Sequence, residues 1–171
     1  MRVGKIVTVS LRRIVVVIIP LALFGCLSPI NDIVTDSADP LPLNVKGEEV
    51  PYPDGFAATQ KKAYPSVEPL RVQIAPDTLF QVIVSLVDSE TSWRSVVVHP
   101  EQRRLTAVAV TPLLRFRDDV VIEVREGDTV EHSIVHMRSR SRLGKSDLGT
   151  NAKRISTFFD ALEQHVSHTE K

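Results

Sequence analysis

Arg138, Arg140 and Arg142 stand at alternate positions and lead directly into Ser146, Asp147, Asn151 and Arg154. Residues of these types at this spacing support two kinds of chemistry. Guanidinium groups grip phosphates and carboxylates through paired hydrogen bonds. Where the segment that follows them opens a helix, its unpaired N–H groups add a partial positive charge, and an anion pocket results. The competing reading uses the same residues for architecture: Ser146 or Asp147 caps the helix, and Asp118, Asp119 or Asp147 takes the arginines' bonds and locks the turn. A third reading takes Ser139, Ser141 or Ser146 as a nucleophile and His136 as its base, which would make the region of residues 136–147 a Ser/His/Asp hydrolase site. The Gly-x-Ser-x-Gly elbow that presents such a serine is absent. On a strand, His136 and the first two serines would also point to opposite faces. No catalytic residue is assigned on this basis.

The elements that must position these side chains follow from hydrophobic periodicity. Leu70 to Ile74 reads as a short strand. Pro76-Asp77 then opens a helix whose Leu79, Val82, Ile83, Leu86 and Val87 fall at helical spacing. Trp93 to Val98, Leu105 to Thr111 and Asp119 to Arg125 alternate or run β-branched between turn residues, and Thr129 to Arg142 makes a longer strand. Asn151 to His165 closes the chain as a helix with Ile155, Phe158, Phe159, Leu162 and Val166 on one stripe. The expected order is β-α-β-β-β-β-α: an α+β domain over residues 70–168, with an antiparallel sheet of about five strands and both helices on one face. This arrangement is similar in shape to TATA-binding-protein-like and helix-grip folds.

Strand parity sends Val135, Met137, Ser139 and Ser141 towards the helices. It puts His132, His136, Arg138, Arg140 and Arg142 on the other side, beside Asp119, Val121, Glu123 and Arg125. That outer side is expected to be solvent-exposed. His132 and His136 would be about 13 Å apart there, too far to share one ion. Neither a zinc-helix motif, a phosphate loop nor a dinucleotide fingerprint is present. No metal or cofactor is expected.

The N-terminus carries the address. Arg2, Lys5, Arg12 and Arg13 precede an apolar run from Ile14 to Phe24 that ends at Gly25-Cys26. The run is short for a membrane span, which needs roughly 20 residues, and it reads as an export signal over residues 1–25. Leu23-Phe24-Gly25-Cys26 resembles the lipobox of bacterial lipoproteins. That resemblance implies lipidation at Cys26, attachment to a membrane through the lipid, and a periplasm-facing location in the cell envelope, with the outer membrane favoured because Leu27 follows the cysteine. The alternative is an uncleaved N-terminal anchor. Residues 26–69 are rich in proline and polar residues and read as an extended tether, with short extended pieces around Val45 and Tyr64. Cys26 is the only cysteine, so no internal disulfide can form. Four of the basic residues lie in the leader of a chain with zero formal charge, which leaves the remainder acidic by about four. Nucleic acid is therefore not an expected partner. An anionic ligand or an envelope protein is.

The string RSRSRLGKSDLGTNAKRI resembles the signature of the bacterial family called domain of unknown function 1499, in which Arg138, Ser139, Ser141, Arg142, Gly144, Ser146, Asp147, Gly149, Asn151 and Arg154 stand at the matching positions. Ala63-Tyr64-Pro65, Pro69-Leu70, Ala107 to Thr111 and Phe116-Arg117-Asp118-Asp119-Val120 extend the resemblance over residues 63–165. It implies an exported or membrane-associated bacterial protein and no established activity. The expectation is a non-catalytic binding or structural module.

Overall fold

The computed structural model describes residues 29–112 and 114–169. The expected leader and Cys26 lie outside them. Twelve segments follow in order: β1 (Asp32–Val34), β2 (Leu43–Val45), β3 (Glu48–Val50), α1 (Phe56–Ala63), β4 (Leu70–Val72), α2 (Pro76–Ser89), β5 (Trp93–His99), a 3-10 turn (Pro100–Gln102), β6 (Arg104–Val110), β7 (Arg117–Glu126), β8 (Ser133–Ser141) and α3 (Thr150–Thr169). The main sheet has six antiparallel strands in the order β1-β8-β7-β6-β5, with β4 also paired to β8. β1 and β4 share one edge of β8: Asp32 to Val34 pair with Arg138 to Arg140, and Leu70 to Val72 pair with Ser133 to Val135. β2 and β3 form a separate hairpin.

Helices α2 and α3 cover one face of the sheet because their apolar residues recur every three or four positions. Leu79, Phe80, Ile83 and Val87 of α2 and Ala152, Ile155, Phe158, Phe159 and Leu162 of α3 are buried against Leu105, Ala107, Ala109, Val120, Ile122, Val124, Val135 and Met137. Removing each large aliphatic side chain here from water contributes roughly 1.5–3 kcal/mol. Trp93 stacks on Phe158 at 5.5 Å between ring centroids and closes the core at the β5 edge. The α+β class, the antiparallel sheet and the inward parity of β8 agree with the periodicity.

The segment read as a tether is different. β1 is wholly buried, and its edge is covered by α1. Gln60 of α1 accepts a hydrogen bond from Val34 N (3.0 Å) and donates one to Val34 O (2.6 Å), so a carboxamide replaces the missing neighbouring strand. Tyr64, expected in an extended piece, instead ends α1 with its N–H bonded to Gln60 O. Leu41, Leu43 and half-buried Val45 pack on Val121 of β7, so the β2–β3 hairpin lies on the outer face of the sheet. The fold therefore takes in the described residues from 29 onward rather than from residue 70, and among the described residues it has three α-helices rather than two. Proline and polar content disguised this because β1 pairs with residues 138–140 and the β2–β3 hairpin packs on Val121, both far away in sequence.

Candidate functional site

Arg138 opens the signature and is 1% exposed. Its Nε and Nη2 donate to the two carboxylate oxygens of Asp32 at 3.0 and 2.7 Å, Nη1 donates to Leu41 O at 2.8 Å, and Nη2 also donates to Val50 O at 3.1 Å. The guanidinium carbon lies 5.8 Å from the centre of the Tyr52 ring. Burial pushes the Asp32 carboxyl above its ordinary range, and the Arg138 hydrogen bonds and charge, with Arg140, pull it back only in part. Burial and the neighbouring Asp32 charge push the Tyr52 hydroxyl up to about 12. The expectation of a solvent-exposed arginine ladder is thus corrected. The parity was right, but residues 36–54 lie over that face and enclose Arg138.

Arg140 keeps a partly exposed side chain 3.6 Å from Asp32. Arg142 grips Asp119 with Nε and Nη2 at 2.6–3.1 Å. Arg154 crosses from α3 to the sheet, donating to Asp118 at 2.6 Å and to Ser139 at 2.8 Å. Asn151, fully buried, is the hub of this second network. Its Oδ1 accepts from Ser139 (2.7 Å) and Arg154 (2.5 Å), and its Nδ2 donates to Ser141 Oγ and Asn31 O, both at 3.1 Å. Asp147 accepts from the N–H groups of Gly149 (3.0 Å) and Asn151 (2.7 Å) and so occupies the start of α3. Ser146 accepts from Leu148 N at 3.3 Å. The anion at this helix N-terminus is the protein's own carboxylate.

The serines and His136 are not aligned for nucleophilic chemistry. Ser139 and Ser141 bond towards α3. His136 pairs with Glu123 in the strand register and lies on the opposite face, where burial, and then Arg125, lower its pKa. His132 sits in the β7–β8 turn beside Thr129 rather than on the strand. Among the described residues, no group of three or more His, Cys, Asp or Glu side chains could hold a metal ion. Nor is any helix among them long and apolar enough to cross a membrane.

Residues 35–162 match the family described as protein of unknown function DUF1499. The chain belongs to that family. The match to DUF1499 takes in β2, β3 and α1 as well as the signature, so the residues that enclose Arg138 are largely part of the family domain. No curated protein matches the chain. A solved structure of the di-domain ARO/CYC BexL from the BE-7585A biosynthetic pathway is similar at 12% identity and a TM-score of 0.44, over 58% of this chain and 45% of that one.

With the DUF1499 signature turned inward, the unmatched charge lies elsewhere. A groove of about 660 Å³ opens at the end of the sheet where β5 begins and β6 ends, on the face away from the helices. Arg94, Arg115, Arg117 and Arg142 line it, with Val108 and Val110 among its apolar residues and no carboxylate. Arg94 bonds to the carbonyls of Thr91 and Trp93. Among the described residues no acidic side chain pairs with Arg94, Arg115 or Arg117. Arg115 also sits at φ 52, in the left-handed region that a non-glycine residue seldom adopts. Sequence reading passed over these three because they are scattered over a turn and two strands; the run Arg115-Phe116-Arg117 was the available signal.

Proposed function

We propose that this DUF1499 chain is an exported module, tethered to a membrane of the cell envelope by its N-terminus and facing the periplasm, that binds an anionic partner and catalyses no reaction. In this reading the signature is a clasp. Arg138 with Asp32, and Asn151 with Arg154 and Asp118, hold the N-terminal segment and α3 onto β8. The binding surface is the groove of Arg94, Arg115 and Arg117. The observation that carries the reading is the contrast in charge partners: Arg138, Arg142 and Arg154 each hold a carboxylate within 2.7 Å, while Arg94, Arg115 and Arg117, three of the four arginines that line the groove, have none. Guanidinium groups without a carboxylate partner, gathered round one concavity, favour a multivalent anion there.

Thermal unfolding of the full chain with and without pyrophosphate tests this. The melting temperature is expected to rise with pyrophosphate for the natural chain and to rise much less for an Arg94→Gln/Arg115→Gln/Arg117→Gln variant, because a ligand stabilises only the state that binds it. Equal shifts in the two proteins would remove the groove from the reading.

A further inference from the structure

We propose that the end of the sheet carrying the basic groove is the surface by which the domain lies against an anionic lipid bilayer. The groove arginines meet headgroup phosphates, and Leu114, Phe116, Leu143 and Leu148 enter the interface. The inference rests on the membrane-tethered reading above and extends it by naming the ligand.

Three independent observations converge on this end. The first is where the chain enters the fold. Asn31 donates to Gly144 O at 2.6 Å, Ser141 N donates to Asn31 O at 2.8 Å, and Asp147 N donates to Ile30 O at 3.3 Å. Ile30 is therefore fixed against the turn between β8 and α3. Cys26 stands four residues before it, so even a fully extended chain places the cysteine no more than ~14 Å from Ile30. A lipid on Cys26, or an uncleaved anchor ending there, leaves no long tether, and this end of the sheet must face the bilayer closely.

The second observation is the distribution of exposed apolar side chains. Leu114 (64% exposed), Phe116 (47%), Leu143 (70%) and Leu148 (68%) all lie in the β6–β7 and β8–α3 connections. These two connections meet where Arg142 N donates to Arg117 O at 3.1 Å. At the opposite end of β7 and β8 only Val130, in the turn between them, is comparably exposed, and the other exposed large apolar side chains among the described residues, Val96, Val97 and Val98, lie along the edge strand β5. β8 spans nine residues, so the two ends are ~30 Å apart. Large apolar side chains at the tips of two adjacent turns cannot serve the core, and they match the shallow insertion of interfacial proteins.

The third is charge. The groove arginines stand beside these apolar tips, Lys145 is exposed in the same turn, and no carboxylate lines the groove. Basic side chains next to apolar ones suit an interface with acidic headgroups.

The test uses the full chain in nanodiscs made with brominated phosphatidylcholine, with or without phosphatidylglycerol. Single tryptophans are placed by Phe116→Trp, Leu143→Trp and, at the far end, Val130→Trp; buried Trp93 supplies the same background in each, and its near-ultraviolet signal reports folding. Bromine quenching is expected for Phe116→Trp and Leu143→Trp and not for Val130→Trp. Phosphatidylglycerol should deepen it about threefold, and adding Arg94→Gln, Arg115→Gln and Arg117→Gln should cancel that gain. Arg115→Gln alone serves if the triple change impairs folding. Equal quenching at positions 116 and 130, none at 116 in discs that carry the protein, or indifference to phosphatidylglycerol would each overturn the docking surface while leaving the tether standing. Failure of the chain to co-elute with the discs would overturn the tether and the docking together.

Discussion

Arg138 and Asp32 form a two-bonded ion pair, at 3.0 and 2.7 Å, between residues 106 positions apart, with both side chains almost wholly removed from solvent. In β-sheet terms they are diagonal neighbours, since Asp32 is registered with Arg140 and Val34 with Arg138. The pair joins the first strand of the fold to the signature strand, and the carbonyls of Leu41 and Val50 bring the hairpin onto the same guanidinium. Removing one member leaves the other charged and buried. Asp32→Leu or Arg138→Met should each lower unfolding stability by about 3–5 kcal/mol, whereas the double change Asp32→Leu/Arg138→Met should cost clearly less than the sum. Urea denaturation of the four proteins checks this, and additive losses would show that the two residues are not energetically coupled.

Asn151 provides the corresponding junction on the helix side. Two donors and two acceptors meet on one buried carboxamide, so Asn151→Ala should leave several polar groups of Ser139, Ser141, Arg154 and Asn31 short of partners. A loss of roughly 2–4 kcal/mol is expected, each orphaned group costing about 1–3 and the site relaxing in part. Asp147→Ala removes only the helix cap and should cost about 1 kcal/mol. Chemical denaturation that ranked Asp147→Ala above Asn151→Ala would contradict the hub assignment.

The residues of α2, α3 and β5 to β8 announced their elements because each carries a full period of apolar positions, and the inward parity of Met137 and Ser139 followed from simple alternation. The error lay in equating the outward face with solvent. Val121 held the clue: it is an apolar residue between Asp119 and Glu123 on that face, and it is 0% exposed because Leu41 and Leu43 cover it. Asp32, Gln60 and Tyr52 could not be found from spacing. β1 has only three residues, too few for a period, and its partners in β8 come about a hundred residues later in the chain. Proline-rich sequence signalled irregular backbone correctly and exposure wrongly. The Asp147 cap and carboxylate bonds from the arginines to Asp118 or Asp119 were among the readings that local chemistry allowed, because those residues stand on or next to the ends of elements whose positions could be counted.

His136 gives the fold a pH dependence of definite sign. The residue is 5% exposed. Burial is the main influence and lowers its pKa below the ordinary 6.5; Arg125 lowers it further, while Asp36, Glu123 and Asp39 oppose the change. The folded state therefore favours the neutral ring, and the unfolded chain takes up a proton first as pH falls. The stabilisation is complete above pH 6.5 and is lost on acidification from there through the folded-state pKa. Midpoints of urea unfolding should fall across that window in the natural chain, and the fall should be shallower in His136→Gln. An unchanged slope in the variant would assign the effect to other groups.

Leu143 and Leu148 should prove dispensable for folding. Both side chains are about two-thirds exposed, and Leu148 holds φ 56, a backbone conformation that favours glycine. Surface changes away from caps and cores fall within about 0.5 kcal/mol. Leu143→Ser should stay inside that range, and so should Leu148→Gly, where relief of the left-handed strain offsets the extra freedom glycine gives the unfolded chain. Gly149, next along at φ 81, provides the contrast: Gly149→Ala forces a β-carbon into the left-handed region, with the Tyr64 hydroxyl 3.5 Å away, and should destabilise by about 1–2 kcal/mol. Denaturation of the three variants without lipid separates the roles. A loss at Leu143 or Leu148 as large as that at Gly149 would mean that these leucines serve the fold itself, and the apolar turn tips would no longer need a surface outside the protein to account for them.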